Sequence, residues 1–409
     1  MKRAAQLVRR FAFEEWGGTE NVVWNSSRHL LPHGFVSEIL ATRACSSSGD
    51  EFREGIQIRR FPYFYPYFPL NSEKKLALDK KGGNPFCFAL RRALLEEDFA
   101  LFHVHAGGRI AQFAREAALR RKKPYLLSFH GGCFDVPASE MTKMLSPLRH
   151  TFPYGGIVDR LLGWKADVIA DASAILCVGA NEVPEFRKRY PGKRIEYLPN
   201  GVDPDVFRKK SPLDLRAELH IPADRRIVLC VSRIDYQKNQ KQLLQVADAA
   251  RSRGEKLHLL MIGPPTAPGY CAELLADARA MGLDSFLTVI PGLPPACELM
   301  RTAYQQSDVF VLPSVHEPFG IVVLEAWSAG IPVIASSVGG LRFLVEDGKN
   351  GLLCPPEDTG AYLAALERLK EASFRSALID GASRSVEAYS WSRIAARLAN
   401  LYEELIRSC

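Results

Sequence analysis

Residues 309–340 read VFVLPSVHEPFGIVVLEAWSAGIPVIASSVGG. The apolar run 309–312 has the length and composition of a buried strand and stops at Pro313. Residues 321–329 predict a helix ended by Gly330, and 332–335 predict the next strand. A strand–helix–strand unit of this kind belongs to a parallel sheet, and ligands of open α/β sheets bind outside the carboxyl ends of the strands. Glu317 falls in the strand-to-helix loop and Glu325 inside the helix. Gly320 lets the backbone approach a ligand closely, and the helix start beside it offers amides without intrahelical partners to an anion. Carboxylates that take hydroxyls, beside amides that take phosphates, suit a sugar nucleotide.

The same alternation runs through the whole chain. Strands are predicted at 5–10, 36–41, 57–60, 101–104, 125–129 and 174–178, with helices at 20–31, 85–95 and 110–120. A second series follows at 226–231, 257–262, 287–290, 309–312 and 333–335. Between the two, Pro191-Gly192 and Pro199-Asn200-Gly201 mark a turn-rich hinge. The chain of 409 residues has room for two domains. Its 47% hydrophobic and 24% charged residues are those of a water-soluble globular protein. No uninterrupted apolar run reaches the length of a membrane span, and Arg9, Arg10, Glu14 and Glu15 interrupt any signal-like segment at the start. Nine cysteines, scattered singly, argue for a reducing compartment and against a disulfide framework or a zinc site. A cytoplasmic location follows.

Five short motifs carry the chemistry. Besides Glu317 and Glu325, these are Gly17-Gly18-Thr19-Glu20 after the first strand, Ser128-Phe129-His130-Gly131, Pro199-Asn200-Gly201-Val202-Asp203, and Ser232-Arg233-Ile234-Asp235-Tyr236-Gln237-Lys238. In this order they resemble the signature of retaining glycosyltransferases of the GT-B fold, above all glycosyltransferase family 4, whose E-x7-E motif is matched by Glu317 and Glu325. The resemblance implies an α/β fold of two doubly wound Rossmann-like domains facing a cleft. It places an acceptor-binding domain at 1–205, a sugar-nucleotide-binding domain at 206–390, and a helix at 391–409 that crosses back to the first domain.

It also implies roles. Arg233 and Lys238 contact the donor diphosphate, Glu317 lies nearest the donor sugar, and Glu325 accepts from the ribose hydroxyls. His130 faces the donor sugar. Gly17, Gly18, Gly263, Leu293, Phe319 and Gly320 line the donor site, and Gly339-Gly340 complete a phosphate wall. Two cations with directional N–H donors at a strand end suit the charge that forms on a departing diphosphate. A solvated surface pair is the plainer reading of such residues elsewhere. For Glu317 the plainer reading is an acid complementing a helix dipole, and for His130 a satisfied structural histidine. His103 and His105 read as structural or acceptor-lining. Asp203-Pro204-Asp205 reads as a turn rather than a metal site, so no metal and no cofactor are expected.

The activity so implied is transfer of a hexosyl group, with retention, from a UDP- or GDP-sugar to an acceptor hydroxyl, in glycan, polysaccharide or glycolipid synthesis. A GT-B sugar-nucleotide epimerase and a catalytically silent sugar-nucleotide-binding protein are the alternatives. The dinucleotide fingerprint of dehydrogenases is missing. Departures from the family pattern are Arg342-Phe343, where a Glu is frequent, and Pro264-Pro265 after Gly263; both bear on base and sugar preference.

Residues 1–200 carry nine more basic than acidic side chains, and 201–409 two fewer. No nucleic-acid partner is expected, but a basic first half can attract an anionic membrane or acceptor. The aromatic, proline-broken stretch 61–69, followed by Lys74-Lys75 and Lys80-Lys81, reads as a packed loop, or as a membrane-facing one that meets a lipid-linked acceptor.

Overall fold

In the computed structural model, residues 1–46, 49–80, 82–131, 148, 150–164, 167–294 and 296–409 are described. Gly132 and Lys81 lie outside these. The chain divides into two compact units, residues 1–200 with 391–409, and residues 201–390.

Strands of the first unit are β1 (Lys2–Arg10), β2 (Phe35–Thr42), β3 (Glu51–Arg53), β4 (Ile56–Phe61), β5 (Tyr67–Phe68), β6 (Leu101–Val104), β7 (Tyr125–Phe129), β8 (Phe152–Pro153), β9 (Ala174–Cys177) and β10 (Ile195–Tyr197). Eight of them form one sheet in the order β10-β9-β7-β6-β1-β2-β4-β3, parallel except for the edge strand β3. β5 and β8 pair separately as a short antiparallel ribbon.

Both faces of this sheet are covered, as a parallel sheet requires. Successive side chains on a strand point to opposite faces, so Ala5 and Leu7 join one core with Phe102, Val104 and Leu127. Ala4, Leu101, Leu126 and Leu176 join another, completed by Leu398, Leu401, Tyr402 and Leu405. Those last four lie on the helix Trp391–Arg407, whose apolar residues recur at helical spacing along one stripe. At about 1.5–3 kcal/mol for each fully buried leucine, this stripe is a major stabilising contact of the first unit.

The second unit holds β11 (Arg226–Val231), β12 (Leu257–Ile262), β13 (Leu287–Ile290), β14 (Val309–Leu312), β15 (Val333–Ser336) and β16 (Leu352–Cys354). They form a six-stranded sheet, β13-β12-β11-β14-β15-β16, parallel throughout. Ile227, Leu229 and Val231 face one core, Val228 and Cys230 the other. Period two with both phases apolar explains why these strands read as continuous hydrophobic runs.

The helix Ile321–Ala329 has the predicted bounds and closes on Gly330, at φ 77°. Other boundaries move. The helix expected at 85–95 runs Phe88–Glu96, and the one expected at 20–31 runs Gly18–Leu30. Asp203-Pro204-Asp205 opens the short helix Pro204–Arg208 instead of making a turn, because proline at the first helical position supplies the right φ and needs no N–H partner.

Strand order locates the ligand sites. In the second unit the chain passes from β11 to β12 and β13 on one side, then returns to place β14 on the other side of β11. In the first unit β1 is followed by β2 on one side and later by β6 on the other. Such reversals open a crevice at the carboxyl ends of the two strands concerned.

Candidate active site

Lys238 and Glu317 meet at the reversal of the second unit, with Nζ 2.6 Å from Oε2 and each side chain 12% exposed. One is on the loop after β11 and the other on the loop after β14. The first loop is shaped by Asp235, whose carboxylate accepts from the amides of Gln237 and Lys238 at 3.1 and 3.3 Å and from the Thr266 hydroxyl at 2.9 Å. This side-chain-capped turn fixes where Lys238 points. Gln240 ties the same loop to the Ser232 hydroxyl and to the Arg233 carbonyl, and the amide of Val315 donates to the Gln237 carbonyl, joining the two loops.

Arg233 lies in the same loop, 41% exposed, with Nη1 3.2 Å from Asp235 and Nη2 donating to Gln237 at 3.2 Å. An ammonium has three donors, so Lys238 can hold Glu317 and still donate to a phosphate. Arg233 is accessible beside it. Two cations thus flank a strand-end crevice.

The glycines here are packing devices. A Cβ on Gly263 would fall 1.9 Å from the Ser232 carbonyl oxygen, so only glycine lets the loop after β12 lie against the loop after β11. Gly339 and Gly340, expected as a phosphate wall, press against the loop of Glu317; a Cβ would stand 2.3 Å from the Glu317 oxygen and 2.0 Å from that of Pro318. The amide of Gly340 also donates to the Glu317 carbonyl at 2.9 Å. Gly320, at φ 97°, precedes the helix Ile321–Ala329, whose amino end has no side-chain cap. The Phe319 side chain is buried in the core, so only its backbone borders the crevice. Leu293 packs on the same core from the loop after β13.

Glu325 lies one turn into that helix. Its Oε2 accepts from the Tyr304 hydroxyl at 2.7 Å. Burial pushes the Glu325 carboxyl up to about 7, and the Tyr304 bond offsets part of that shift. Oε1 is left to accept from a ligand hydroxyl. Nothing in the sequence near Tyr304 marked it as a partner.

His130, Gly17 and Gly18 stand in the first unit. Gly17 caps the helix Gly18–Leu30 in an extended conformation. Its first turn holds Glu20, which is buried and pairs with Arg10 at 3.2 Å. Arg10, Glu20, Thr19, Asn84, His105 and Gly108 are among the residues around a cavity of about 480 Å³. This cavity occupies the reversal between β1 and β6. Burial pushes the Glu20 carboxyl up while Arg10 opposes the shift. Arg9 also borders the cavity, its guanidinium donating to the carbonyls of Leu78 and Asp79.

His130, just beyond β7, has Nε2 3.0 Å from Nδ1 of His105. His103 is buried between the hydroxyls of Tyr402 and Ser128, 2.6 Å from each. Burial lowers the three imidazoles, His103 to about 3, His130 to about 4 and His105 well below its ordinary value. All three are therefore neutral in the neutral range. Sequence reading placed these histidines at strand ends but missed Gln6 and Tyr402, because neither carries a local motif.

Residues 213–384 match the family model described as glycosyl transferases group 1, and residues 16–206 match that of glycosyltransferase family 4. A D-inositol 3-phosphate glycosyltransferase of Geodermatophilus obscurus is 33% identical over 252 residues, covering 59% of this chain and 55% of its own. The chain thus spans a little over half the length of that relative. Among solved structures, the sucrose-phosphate synthase of Thermosynechococcus elongatus has a TM-score of 0.72 at 21% identity, covering 100% of both chains. The Anabaena protein HepE, solved with UDP and glucose, has a TM-score of 0.72 at 17% identity, covering 99% of this chain and 100% of its own. Matched through both halves in that order, the chain belongs to the GT-B glycosyltransferases of family 4, described also as glycosyl transferases group 1.

Proposed function

We propose that this protein is a retaining hexosyltransferase that needs no metal. It takes a nucleotide sugar on residues 201–390 and an acceptor hydroxyl on the first unit. The observation that carries this reading is the Lys238–Glu317 pair at a strand-order reversal, with Arg233 in the same loop and an uncapped helix start beside it. As the bond from the anomeric carbon to the β-phosphate oxygen breaks, Lys238, Arg233 and the amides near Gly320 take up the charge of the diphosphate. Glu317 holds a sugar hydroxyl and favours positive charge at the anomeric carbon. Glu325 holds the ribose through Oε1.

The acceptor oxygen bonds to the anomeric carbon on the face the diphosphate leaves, and its proton passes to the departing phosphate oxygen. This accounts for retention and for the want of a dedicated base among the described residues. A UDP-sugar is the donor we favour, since HepE, of the same fold, was solved with UDP and glucose. The cavity of the first unit, with Arg10, Glu20 and Asn84 around it, suits a polyhydroxylated acceptor.

The test is direct. Product NMR should show the donor's anomeric configuration, and an inverted product overturns retention. Lys238→Ala should cost about a hundredfold in kcat and weaken nucleoside diphosphate binding. Unchanged turnover and affinity would reject the diphosphate assignment.

A lipid-linked acceptor has its own support. On the β5–β8 ribbon Phe68 lies opposite Phe152, and they are 72% and 63% exposed. Exposed phenylalanines can bury their rings at the boundary between headgroups and acyl chains. Tyr65, from the same aromatic stretch, is buried instead. Co-sedimentation with anionic vesicles should weaken in Phe68→Ser; equal pelleting argues against membrane contact.

A further inference from the structure

Six polar side chains form a connected chain across one face of the first sheet. Gln6, His103 and Ser128 stand on the neighbouring strands β1, β6 and β7, and Gln6 is in register with His103. His105 and His130 follow at the next positions of the same phase, just past the ends of β6 and β7. Tyr402, on the helix that covers this face, reaches in from above. Gln6, His103 and Tyr402 are almost wholly buried, so each hydrogen bond among them must have one donor and one acceptor.

The lengths fix the direction of the chain. Gln6 Nε2 donates to the Tyr402 hydroxyl at 3.1 Å. That is the spacing of an N–H···O bond, longer than the O–H···O spacing expected if the amide oxygen stood there. Gln6 Oε1 therefore faces His105 Nε2, 2.9 Å away. As a carbonyl oxygen it can only accept, so His105 carries its proton on Nε2. A neutral imidazole with one donor nitrogen has an acceptor at the other. His105 Nδ1 accordingly accepts, and the proton it accepts, across 3.0 Å, is that on His130 Nε2. His130 Nδ1 is left as a bare lone pair, and this atom is buried with no partner among the described residues.

We propose that Gln6, oriented by Tyr402, acts through His105 to hold His130 as its Nε2–H tautomer, so that Nδ1 accepts a hydrogen bond from a hydroxyl of the bound substrate. Gln6 and Tyr402 are positioning residues here, and His105, which also borders the cavity, passes their orientation on to His130. The proposal rests on the transferase reading for its substrate. The tautomer itself is a property of the free protein. A reversed Gln6 amide would turn every bond in the chain and make Nδ1 a donor, so one buried amide sets which kind of group the site accepts.

The experiment is long-range 1H–15N NMR of the full chain labelled in its histidines, without substrate, with the His130 signals identified by their loss in His130→Gln. Expected is a proton on Nε2 and a bare Nδ1, unchanged through the neutral range. A proton on Nδ1, or a pair of averaged nitrogens, overturns the proposal. Gln6→Met, checked for folding by circular dichroism, should give averaged nitrogens; retention of the single tautomer overturns the role of Gln6. Should that variant not fold, Tyr402→Phe, which frees the amide to turn, decides in the same way. In turnover Gln6→Met should lower kcat/KM about fivefold, and combined with His130→Gln it should cost no more than His130→Gln alone. An enzyme active with the wrong tautomer sinks only this inference. An inactive protein with the expected tautomer sinks only the transferase reading.

Discussion

Glu325 shows how one side chain ties binding to stability. Its carboxyl sits at about 7 in the folded protein, against 4.5 ordinarily. The folded state thus holds the proton more tightly than the unfolded chain. This contribution to stability is complete below the lower value and is lost as pH rises to the upper one, amounting to up to about 3 kcal/mol. Glu325→Gln should remove this share of the slope, which urea unfolding of wild type and variant at acid and at neutral pH will measure. Nucleotide binding should run the other way, because the deprotonated carboxylate is the better acceptor of a ribose hydroxyl. Affinity is expected to weaken as pH falls through about 7 in the wild type and to stay flat in Glu325→Gln, as read by calorimetry. A wild-type affinity independent of pH would remove Glu325 from the ribose.

At the scale of elements, the loop-to-loop contacts set the geometry of the crevice. Gly340 cannot carry a side chain without moving the Pro318 carbonyl, 2.0 Å from where its Cβ would be. Gly340→Ala should destabilise by about 2 kcal/mol and disturb the Glu317 loop. Gly18→Ala, with open space around the new carbon at a helix start, should be neutral or stabilising by about 0.5 kcal/mol. Urea midpoints compare the two, and equal effects would refute the packing argument.

The strand–helix–strand unit around Glu317 was legible in the sequence because its two apolar strands and its nine-residue helix are bounded by Pro313, Gly330 and Pro332. β10 and β16, three residues each, are too short to show one. Lys238 and Glu317 were legible through their motifs, but not their pairing across 79 positions. Tyr304, Gln6 and Tyr402 escaped reading because their roles depend on which elements become neighbours, and that is a long-range property.

For the whole molecule, the helix Trp391–Arg407 belongs to the first unit although the second lies between them in sequence. Deleting 391–409 uncovers Ala4, Leu101, Leu126 and Leu176. The expected outcome in scanning calorimetry is loss of the cooperative transition of the first unit, with that of residues 201–390 retained. A truncated chain that keeps both would show the helix to be dispensable.

This arrangement reverses the order of maturation during synthesis. The strands of residues 1–200 leave the ribosome before residues 201–390 and carry a greasy strip whose cover is encoded after them. Residues 201–390 have everything they need once Ser390 is out, so the later-made lobe can finish before the earlier one. The waiting nascent segment is then a client for holding chaperones, and slow translation lengthens the time it spends unsheltered.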